Sequence, residues 1–195
     1  MGAVLINIDY NKTAQAFKEL GITDFDQQFS QINASALFEE LEMGKITNDY
    51  FYTAMQAQIP GSVDSSLIKH AWNAILEDFR MESMHYLVEL KKEVRLFLLS
   101  NTNAIHLEEV NLILQKQLGV AAVDDYFEKA YYSHKVGMRK PHADIFEFVL
   151  SDAGILASET LFVDDTKMNI DTAEQLGFNT HLLLPSQRIE DLKYH

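Results

Sequence analysis

The sequence contains no cysteine, and this absence excludes several kinds of site at once. Without a thiol the chain cannot form a disulfide, use a thiolate nucleophile or bind a metal through sulfur. Any metal must be held by oxygen or imidazole ligands, and oxygen ligands suit a hard cation such as Mg²⁺. The seven histidines show no spacing typical of a metal site. Carboxylates are therefore the expected ligands.

Basic residues are scarce, with 16 Lys and Arg against 29 Asp and Glu, a formal net charge of -13. This balance argues against nucleic acid or an anionic membrane as the main partner, although a local site can still accept an anionic substrate. Long apolar runs are lacking too. The run "AVLINI" is too short to cross a bilayer and has no basic flank or cleavage site of a signal peptide. We expect a cytoplasmic protein without a transmembrane segment.

The 195 residues allow one domain with a modest insertion. Apolar runs rich in β-branched residues predict strands at Ala3–Ile8, Val94–Leu99, Lys129–Tyr132, Thr160–Val163 and Thr180–Leu184. Helical periodicity follows three of them, at Asn103–Gly119, Pro141–Leu150 and Met168–Leu176. Alternating strands and helices predict an α/β fold with a parallel, Rossmann-like sheet flanked by helices.

Residues 11–79 have a different pattern, in which helices follow one another and no strand is predicted. The predicted helices are Lys12–Leu20, Ser35–Met43, Asn48–Gln58 and Asp64–Leu76, and the breaks are Gly21, Gly44 and Pro60–Gly61. A helical block inserted after the first strand of an α/β domain is typical of a cap. We therefore predict a core domain of residues 1–10 and 80–195 and an all-helical cap of residues 11–79.

Chemically capable residues follow three of the predicted strands. Ser100 follows the second strand, Lys140 lies in the loop after the third, and Asp164–Asp165 follows the fourth. In a parallel sheet the ligand site lies at the carboxyl ends of the strands, so these groups should meet at one edge. A hydroxyl, a cation and a carboxylate pair suit a phosphoryl group and the Mg²⁺ that shields it.

Each of these residues also has an ordinary structural interpretation. Ser100 could cap the helix that follows it, and Lys140 could be a solvated loop lysine. The carboxylate pair could lie in water at a strand tip, or Asp165 could cap the next helix. Asn169 and Asp171 are expected to be plain polar groups of that helix. The coincidence of three such groups at three strand ends favours a shared site.

Three stretches resemble motifs of the haloacid dehalogenase (HAD) superfamily, in the branch with a helical cap after the first strand. They are "RLFLLSNTN", "GMRKPHADIF" and "LFVDDTKMNIDTAEQLGF", and "FEELEMGKITNDYF" resembles the cap of phosphatases similar to alpha-glucose-1-phosphatase and the epoxide hydrolase N-terminal domain. The resemblance implies that Ser100 and Asn101 bind phosphate. It also implies that Lys140 balances charge and that Asp164 and Asp165 bind Mg²⁺.

The first motif of the superfamily matches incompletely. In the family an apolar strand runs into an aspartate nucleophile, and "MGAVLINIDY" aligns so that Met1 sits one place after it. Gly2 then falls where the resemblance implies a backbone carbonyl ligand of the metal. The nucleophile is expected before Met1, and Asp9 is too far along to replace it. The chain as given is therefore expected to be inactive.

The resemblance implies a Mg²⁺-dependent phosphatase of a small phosphorylated metabolite, with a sugar phosphate as the expected substrate and an aspartyl-phosphate intermediate. An alternative is a catalytically inactive module that binds phosphate or a partner. A weaker alternative is a haloacid dehalogenase, which the adjacent Asp164 and Asp165 disfavour because dehalogenation needs no metal.

Overall fold

A computed structural model describes residues 1–29 and 35–192 as an α/β protein. The strands are β1 (Ile6–Ile8), β2 (Leu76–Phe79), β3 (Phe97–Ser100), β4 (Lys129–Tyr132), β5 (Leu161–Asp164) and β6 (Asn179–Leu182). The helices are α1 (Tyr10–Glu19), α2 (Phe25–Gln28), α3 (Ala36–Glu42), α4 (Asn48–Gln56), α5 (Ser65–Asn73), α6 (Met81–Leu90), α7 (Ala104–Leu118), α8 (Ser133–Val136), α9 (Ala143–Ala153) and α10 (Lys167–Gln175). Residues 30–34 of the predicted cap lie outside the described residues.

Parallel pairing joins the strands that carry the predicted site. In β3 and β4 Leu99 is opposite Tyr131, and in β5 and β6 Val163 is opposite His181. Helices α7, α9 and α10 follow β3, β4 and β5, as the alternation of patterns predicts. The parallel α/β class is thus confirmed.

The first predicted strand differs from the structure in its extent and its partner. Strand β1 begins at Ile6 instead of Ala3, and it pairs antiparallel with β2, where Ile6 is opposite Phe79. The prediction that residues 11–79 contain no strand is therefore wrong at their end. Strand β2 has the sequence "LEDF". The apolar pattern does not predict this strand, because Glu77 and Asp78 are acidic and acidic residues are uncommon in strands. The preceding helix ends at Asn73, before this strand.

The helical segment has an aromatic core of its own. Phe25, Phe38, Phe51 and Trp72 are almost fully buried and contact one another, with Trp72 stacked 5.2 Å from Phe38 between ring centroids. Ile105 of α7 belongs to the same cluster, so this core reaches the α/β layer. Burial of each large side chain contributes about 1.5–3 kcal/mol, which fixes the helices above the strand ends.

Helix caps settle three of the alternatives raised by the sequence. Asn103, and not Ser100, caps α7, since its Oδ1 accepts a hydrogen bond from the N–H of His106 at 3.0 Å. Thr166, and not Asp165, is the N-cap residue of α10. Asp9 caps α1 by accepting from the N–H of Asn11 at 2.9 Å, so its carboxylate has a structural role.

No helix within the described ranges is long and apolar enough to cross a membrane.

Candidate active site

Lys140 lies between the carboxyl ends of β3 and β5. Its Nζ donates to the carbonyl oxygen of Leu99 at 3.1 Å and to Oδ2 of Asp164 at 2.5 Å. Both charged side chains are almost completely buried, with 5% and 6% exposure. The structure therefore brings Lys140 and Asp164 together at one edge of the sheet, and it contradicts both solvated interpretations of these residues.

Asp164 is held by donors on both carboxylate oxygens. Oδ1 accepts from the N–H of Thr166 at 2.9 Å and from Nδ2 of Asn169 at 2.8 Å. Burial alone would raise the pKa of Asp164, but the Lys140 charge and these hydrogen bonds outweigh it and lower the pKa. Asp164 is thus a buried anion, and Oδ2 retains a lone pair for one further cation.

Asp165 is in a less favourable electrostatic position than Asp164. Burial raises its pKa, and the adjacent negative charge of Asp164 raises it further. Lys140 and the Met1 amino group offset part of the repulsion between the two carboxylates, and additional positive charge would stabilise them further. A bound divalent cation would provide that charge and stabilise both anions.

Asn101 fixes the loop that carries Lys140. Its Nδ2 donates to the carbonyl oxygen of Lys140 at 2.8 Å, and its Oδ1 accepts from the N–H of Lys140 at 2.9 Å. Because both polar ends of the amide are engaged, we assign this side chain to positioning Lys140. A phosphate contact from Asn101 stays a prediction.

Ser100 ends β3 and is buried at the same edge. Its Oγ makes a long contact of 3.4 Å with the carbonyl oxygen of Asn101, which leaves the hydroxyl able to turn towards a ligand. Nearby, Ser133 donates to the carbonyl oxygen of Thr102 and accepts from the N–H of Thr102, each at 2.9 Å. Ser133 thereby ties the loop after β3 to the end of β4, a role that the sequence did not reveal.

Residues of the helical segment approach the site through Arg139. This residue precedes Lys140 and pairs with two acids of α3, Glu39 at 2.6 Å and Glu42 at 3.0 Å. Burial raises the pKa of Glu42, and the Arg139 charge opposes this effect. Tyr10 is also close, since the charges of Glu42 and Asp165 add to burial in raising its pKa. The sequence predicted none of these three contacts.

Met1 and Gly2 lie beside the charged cluster. Burial lowers the pKa of the Met1 amino group to about 6, and the Lys140 charge lowers it further, while Asp164 and Asp165 oppose the shift. Gly2 follows in a tight turn, in which the carbonyl oxygen of Met1 accepts from the N–H of Leu5 at 2.8 Å. A metal contact from the Gly2 carbonyl stays a prediction.

The donor set suits Mg²⁺ better than a metal that needs a full cage of side chains. No group of three or more His, Asp or Glu able to hold a metal occurs in the described part of the chain. Mg²⁺ is ordinarily bound by one or two carboxylates, with water and substrate phosphate completing six ligands. The predicted ligands, Asp164 and Asp165, are two carboxylates, the kind and number of side chains that Mg²⁺ requires.

The chain matches the family model described as haloacid dehalogenase-like hydrolase over residues 22–183. It is 33% identical over 179 residues to a D-ribitol-5-phosphate phosphatase of Bacteroides thetaiotaomicron, covering 92% of this chain and 86% of the relative. A sesquiterpene phosphatase of Aspergillus oryzae is 31% identical over 146 residues, covering 73% and 70% of the two chains.

Solved structures agree with these matches. A HAD family enzyme of Bacteroides thetaiotaomicron, an aspartate-to-alanine variant in complex with magnesium and inorganic phosphate, superposes with a TM-score of 0.93 at 32% identity, covering 98% of this chain and 94% of the other. A HAD-like hydrolase of Porphyromonas gingivalis gives 0.86 at 32% identity, covering 95% and 89%. Magnesium, the predicted cofactor, is therefore present in a solved relative. The chain belongs to the haloacid dehalogenase-like hydrolase family.

Proposed function

We propose that the site is that of a Mg²⁺-dependent phosphatase of small phosphorylated metabolites, with a sugar or polyol phosphate as substrate. The observation that carries the proposal is the buried Lys140–Asp164 pair at the carboxyl ends of β3 and β5. A buried ion pair beside a second carboxylate costs desolvation energy. The attraction between the paired charges often does not offset that cost. A site for metal and phosphate accounts for it.

Each residue has a definite part in this function. Asp164 and Asp165 would hold Mg²⁺, which shields the negative charge of the phosphoryl group. Lys140, fixed by Leu99 and Asn101, would stabilise charge on phosphate and on the attacking group. Ser100 would donate a hydrogen bond to a phosphate oxygen. These groups bind and orient the phosphoryl group.

The attacking group is a further part of the proposal. Asp164 is committed to Lys140, Thr166 and Asn169, and Asp9 caps α1. The resemblance of "MGAVLINIDY" to the first motif of the family implies an aspartate nucleophile before Met1. In this proposal its carboxylate would attack phosphorus and displace the hydroxyl of the substrate, and water would then hydrolyse the acyl phosphate to release phosphate. The chain of 195 residues alone should then hold Mg²⁺ and phosphate with little turnover.

The relatives and the polar surroundings of the site support the proposed substrate class. The D-ribitol-5-phosphate phosphatase shares 33% identity with this chain. Arg139, Glu42 and Tyr10 place hydrogen-bonding groups on the side of α3 and α1, which suits a substrate rich in hydroxyl groups. Two solved dehalogenase structures are 18% and 15% identical to this chain, and their likeness shows the fold alone.

Phosphate release tests this function. Ribitol 5-phosphate, several sugar phosphates and an aryl phosphate should be offered with Mg²⁺ to the chain and to the chain extended by an apolar strand ending in Asp. We expect turnover of about 1 per second or more only for the extended chain, with loss of activity in Lys140→Ala. Comparable turnover by the short chain would contradict the assigned nucleophile. Inactivity of both chains, with phosphate binding retained, would favour the non-catalytic binding module.

A further inference from the structure

Asn103 ends the loop of residues 100–103, which begins with Ser100, and its side chain is completely buried. Its carboxamide oxygen Oδ1 accepts two hydrogen bonds, one from the N–H of His106 at 3.0 Å and one from the indole Nε1–H of Trp72 at 3.4 Å. Both donors require an oxygen at this position, so together they fix which way the amide faces. One donor belongs to α7, and the other belongs to α5 of the helical segment.

The orientation of this amide leaves one of its polar atoms unsatisfied. Within residues 1–29 and 35–192, Nδ2 of Asn103 is buried and has no hydrogen-bond partner. An unpaired buried donor costs free energy, and such groups are uncommon in folded proteins. The amide keeps this orientation because Oδ1 is held by two donors. Removal of either donor would therefore allow the Asn103 side chain to turn.

The rest of the loop is held from the α/β layer. The backbone of Thr102 exchanges two hydrogen bonds with the hydroxyl of Ser133. The side chain of Asn101 exchanges two with the backbone of Lys140. The bond from Trp72 adds an anchor that comes from the helical segment. The loop is thus fixed from two parts of the molecule at once.

Trp72 is itself held in place by its neighbours. It has no exposed surface, and its ring stacks on Phe38 at 5.2 Å and on His106 at 4.5 Å between ring centroids. The imidazole of His106 is fixed in turn, since Nδ1 lies 2.9 Å from Oδ1 of Asn73. An indole packed in this way has a defined direction for its N–H. A phenyl ring would fill most of the same space, but it has no N–H to donate.

We infer that Trp72 is a positioning residue for the loop of residues 100–103 and that it acts through the side chain of Asn103. The indole N–H holds Asn103, which caps α7, and the loop in front of this helix then presents Ser100 at a fixed place. The inference rests on the proposed function for its ligand, a phosphoryl group. Control of the loop by the indole N–H does not depend on that ligand.

Hydrogen exchange resolved for single amides tests control of the loop without any ligand. Trp72→Phe keeps an aromatic ring but removes the N–H donor. The amide of His106 donates to Asn103, and its exchange should become about threefold faster or more, relative to the amide of Leu114 in the same helix. Unchanged relative exchange would overturn the inference.

Phe51→Leu is the matched control for Trp72→Phe. Phe51 is fully buried in the same aromatic core and lies 5.3 Å from Trp72 between ring centroids, but its side chain has no donor. Both substitutions remove buried apolar volume, so both should lower the melting temperature. Phe51→Leu should leave the relative exchange at His106 unchanged. Equal changes in the two variants would mean that Trp72 acts by packing alone and would overturn the inference.

Titration calorimetry with inorganic phosphate and Mg²⁺ tests the consequence for the site. Trp72→Phe should weaken phosphate binding by about 3–10-fold, and Phe51→Leu by less than about twofold. Asn103→Ala should weaken it too. Adding Trp72→Phe to Asn103→Ala should have little further effect, because the indole N–H then has no amide to hold. Additive effects of the two substitutions would overturn the action through Asn103.

The outcomes separate this inference from the proposed function. Faster relative exchange at His106 in Trp72→Phe, with no phosphate binding by any of the chains, would support control of the loop and count against the proposed function. Equal phosphate affinity of the original chain and Trp72→Phe would support the phosphate site and overturn the role of Trp72.

Discussion

Lys140 and Asp164 form an ion pair at 2.5 Å that is almost entirely out of contact with water. Breaking such a pair leaves one uncompensated buried charge. Lys140→Met should therefore lower the free energy of unfolding by about 3–5 kcal/mol, whereas adding Asp164→Leu to the same chain should recover part of the loss. Urea unfolding of the two variants measures both values.

The exposed pair of Lys92 and Glu89 provides the control. Its side chains are 62% and 70% exposed, and its separation of 2.6 Å is similar. Lys92→Met should cost less than about 1 kcal/mol, because water screens the charges. Similar losses in the two lysine variants would mean that the Lys140 charge is not buried as the structure has it.

Asn169 gives a second prediction, on metal binding. Its Nδ2 holds Oδ1 of Asp164 at 2.8 Å, so it fixes the orientation of the carboxylate that we assign to Mg²⁺. Asn169→Ala should weaken Mg²⁺ binding in the presence of inorganic phosphate by about 10–100-fold, as loss of an outer-shell partner commonly does. Titration calorimetry measures the affinity.

Asp171 is the matched control for Asn169. It lies on the same helix, pairs with Lys167 at the surface and has a side chain that is 43% exposed. Asp171→Asn should leave Mg²⁺ affinity unchanged apart from a small long-range charge effect. If both variants bind Mg²⁺ like the original chain, the Asp164 carboxylate is not oriented by Asn169 in a way that matters for the metal.

The sequence predicted those parts of the fold that follow from a regular apolar pattern. Strand β4 was predicted with its observed bounds, Lys129–Tyr132, because Ala130, Tyr131 and Tyr132 form a short apolar and aromatic run. Strand β2 was not, because Glu77 and Asp78 are unfavourable in strands and are accommodated only by pairing with β1. That pairing depends on residues about 70 positions apart, which no local pattern reports.

The same distinction applies to the candidate site. The meeting of Lys140 and Asp164 could be predicted, since carboxyl ends of parallel strands share one edge. The contact of Asn169 with Asp164 could not be predicted, because polar residues are common in the first turn of a helix. Only the structure shows that its side chain donates to the Asp164 carboxylate. The pairing of Arg139 with Glu42 depends on how the helical segment packs on the strands. Such contacts between distant segments require the structure.

Gly44 allows a test of how closely the helical segment must approach the core. Its φ of +65° is in the left-handed region, and a Cβ added there would lie 2.2 Å from the carbonyl oxygen of His134. Gly119 has a similar φ of +70°, but a Cβ added to it would meet nothing within 4 Å. Gly119→Ala should cost about 1–2 kcal/mol, the cost of the conformation alone.

Gly44→Ala should cost at least about 1 kcal/mol more than Gly119→Ala, because the backbone must also move away from His134. That movement would disturb the loop near Arg139 and Lys140, so weaker phosphate binding should accompany the lower stability. Thermal unfolding compares the two variants. Equal losses would show that the loop after α3 does not pack against α8 as closely as the structure describes.

His106 gives the last prediction, on the pH dependence of stability. Its ring stacks on Trp72 at 4.5 Å, and Nδ1 lies 2.9 Å from Oδ1 of Asn73, with Nδ1 assigned as the donor. Burial lowers the pKa of His106 to about 3. Since the unfolded chain binds this proton near pH 6.5, the unfolded state holds more protons between pH 3 and 6.5.

The contribution of neutral His106 to the free energy of unfolding is therefore fully present above about pH 6.5. It falls as the pH is lowered towards 3, by about 3–5 kcal/mol in total. His106→Gln keeps a side chain that can donate to Asn73 but removes the titration, so the slope of unfolding free energy against pH should flatten between pH 6 and 4. His85 is exposed, and His85→Gln should keep the original slope. Urea unfolding at several pH values measures all three chains. A His106→Gln slope equal to that of the original chain would show that this histidine is protonated in the folded state, in conflict with its burial against Trp72.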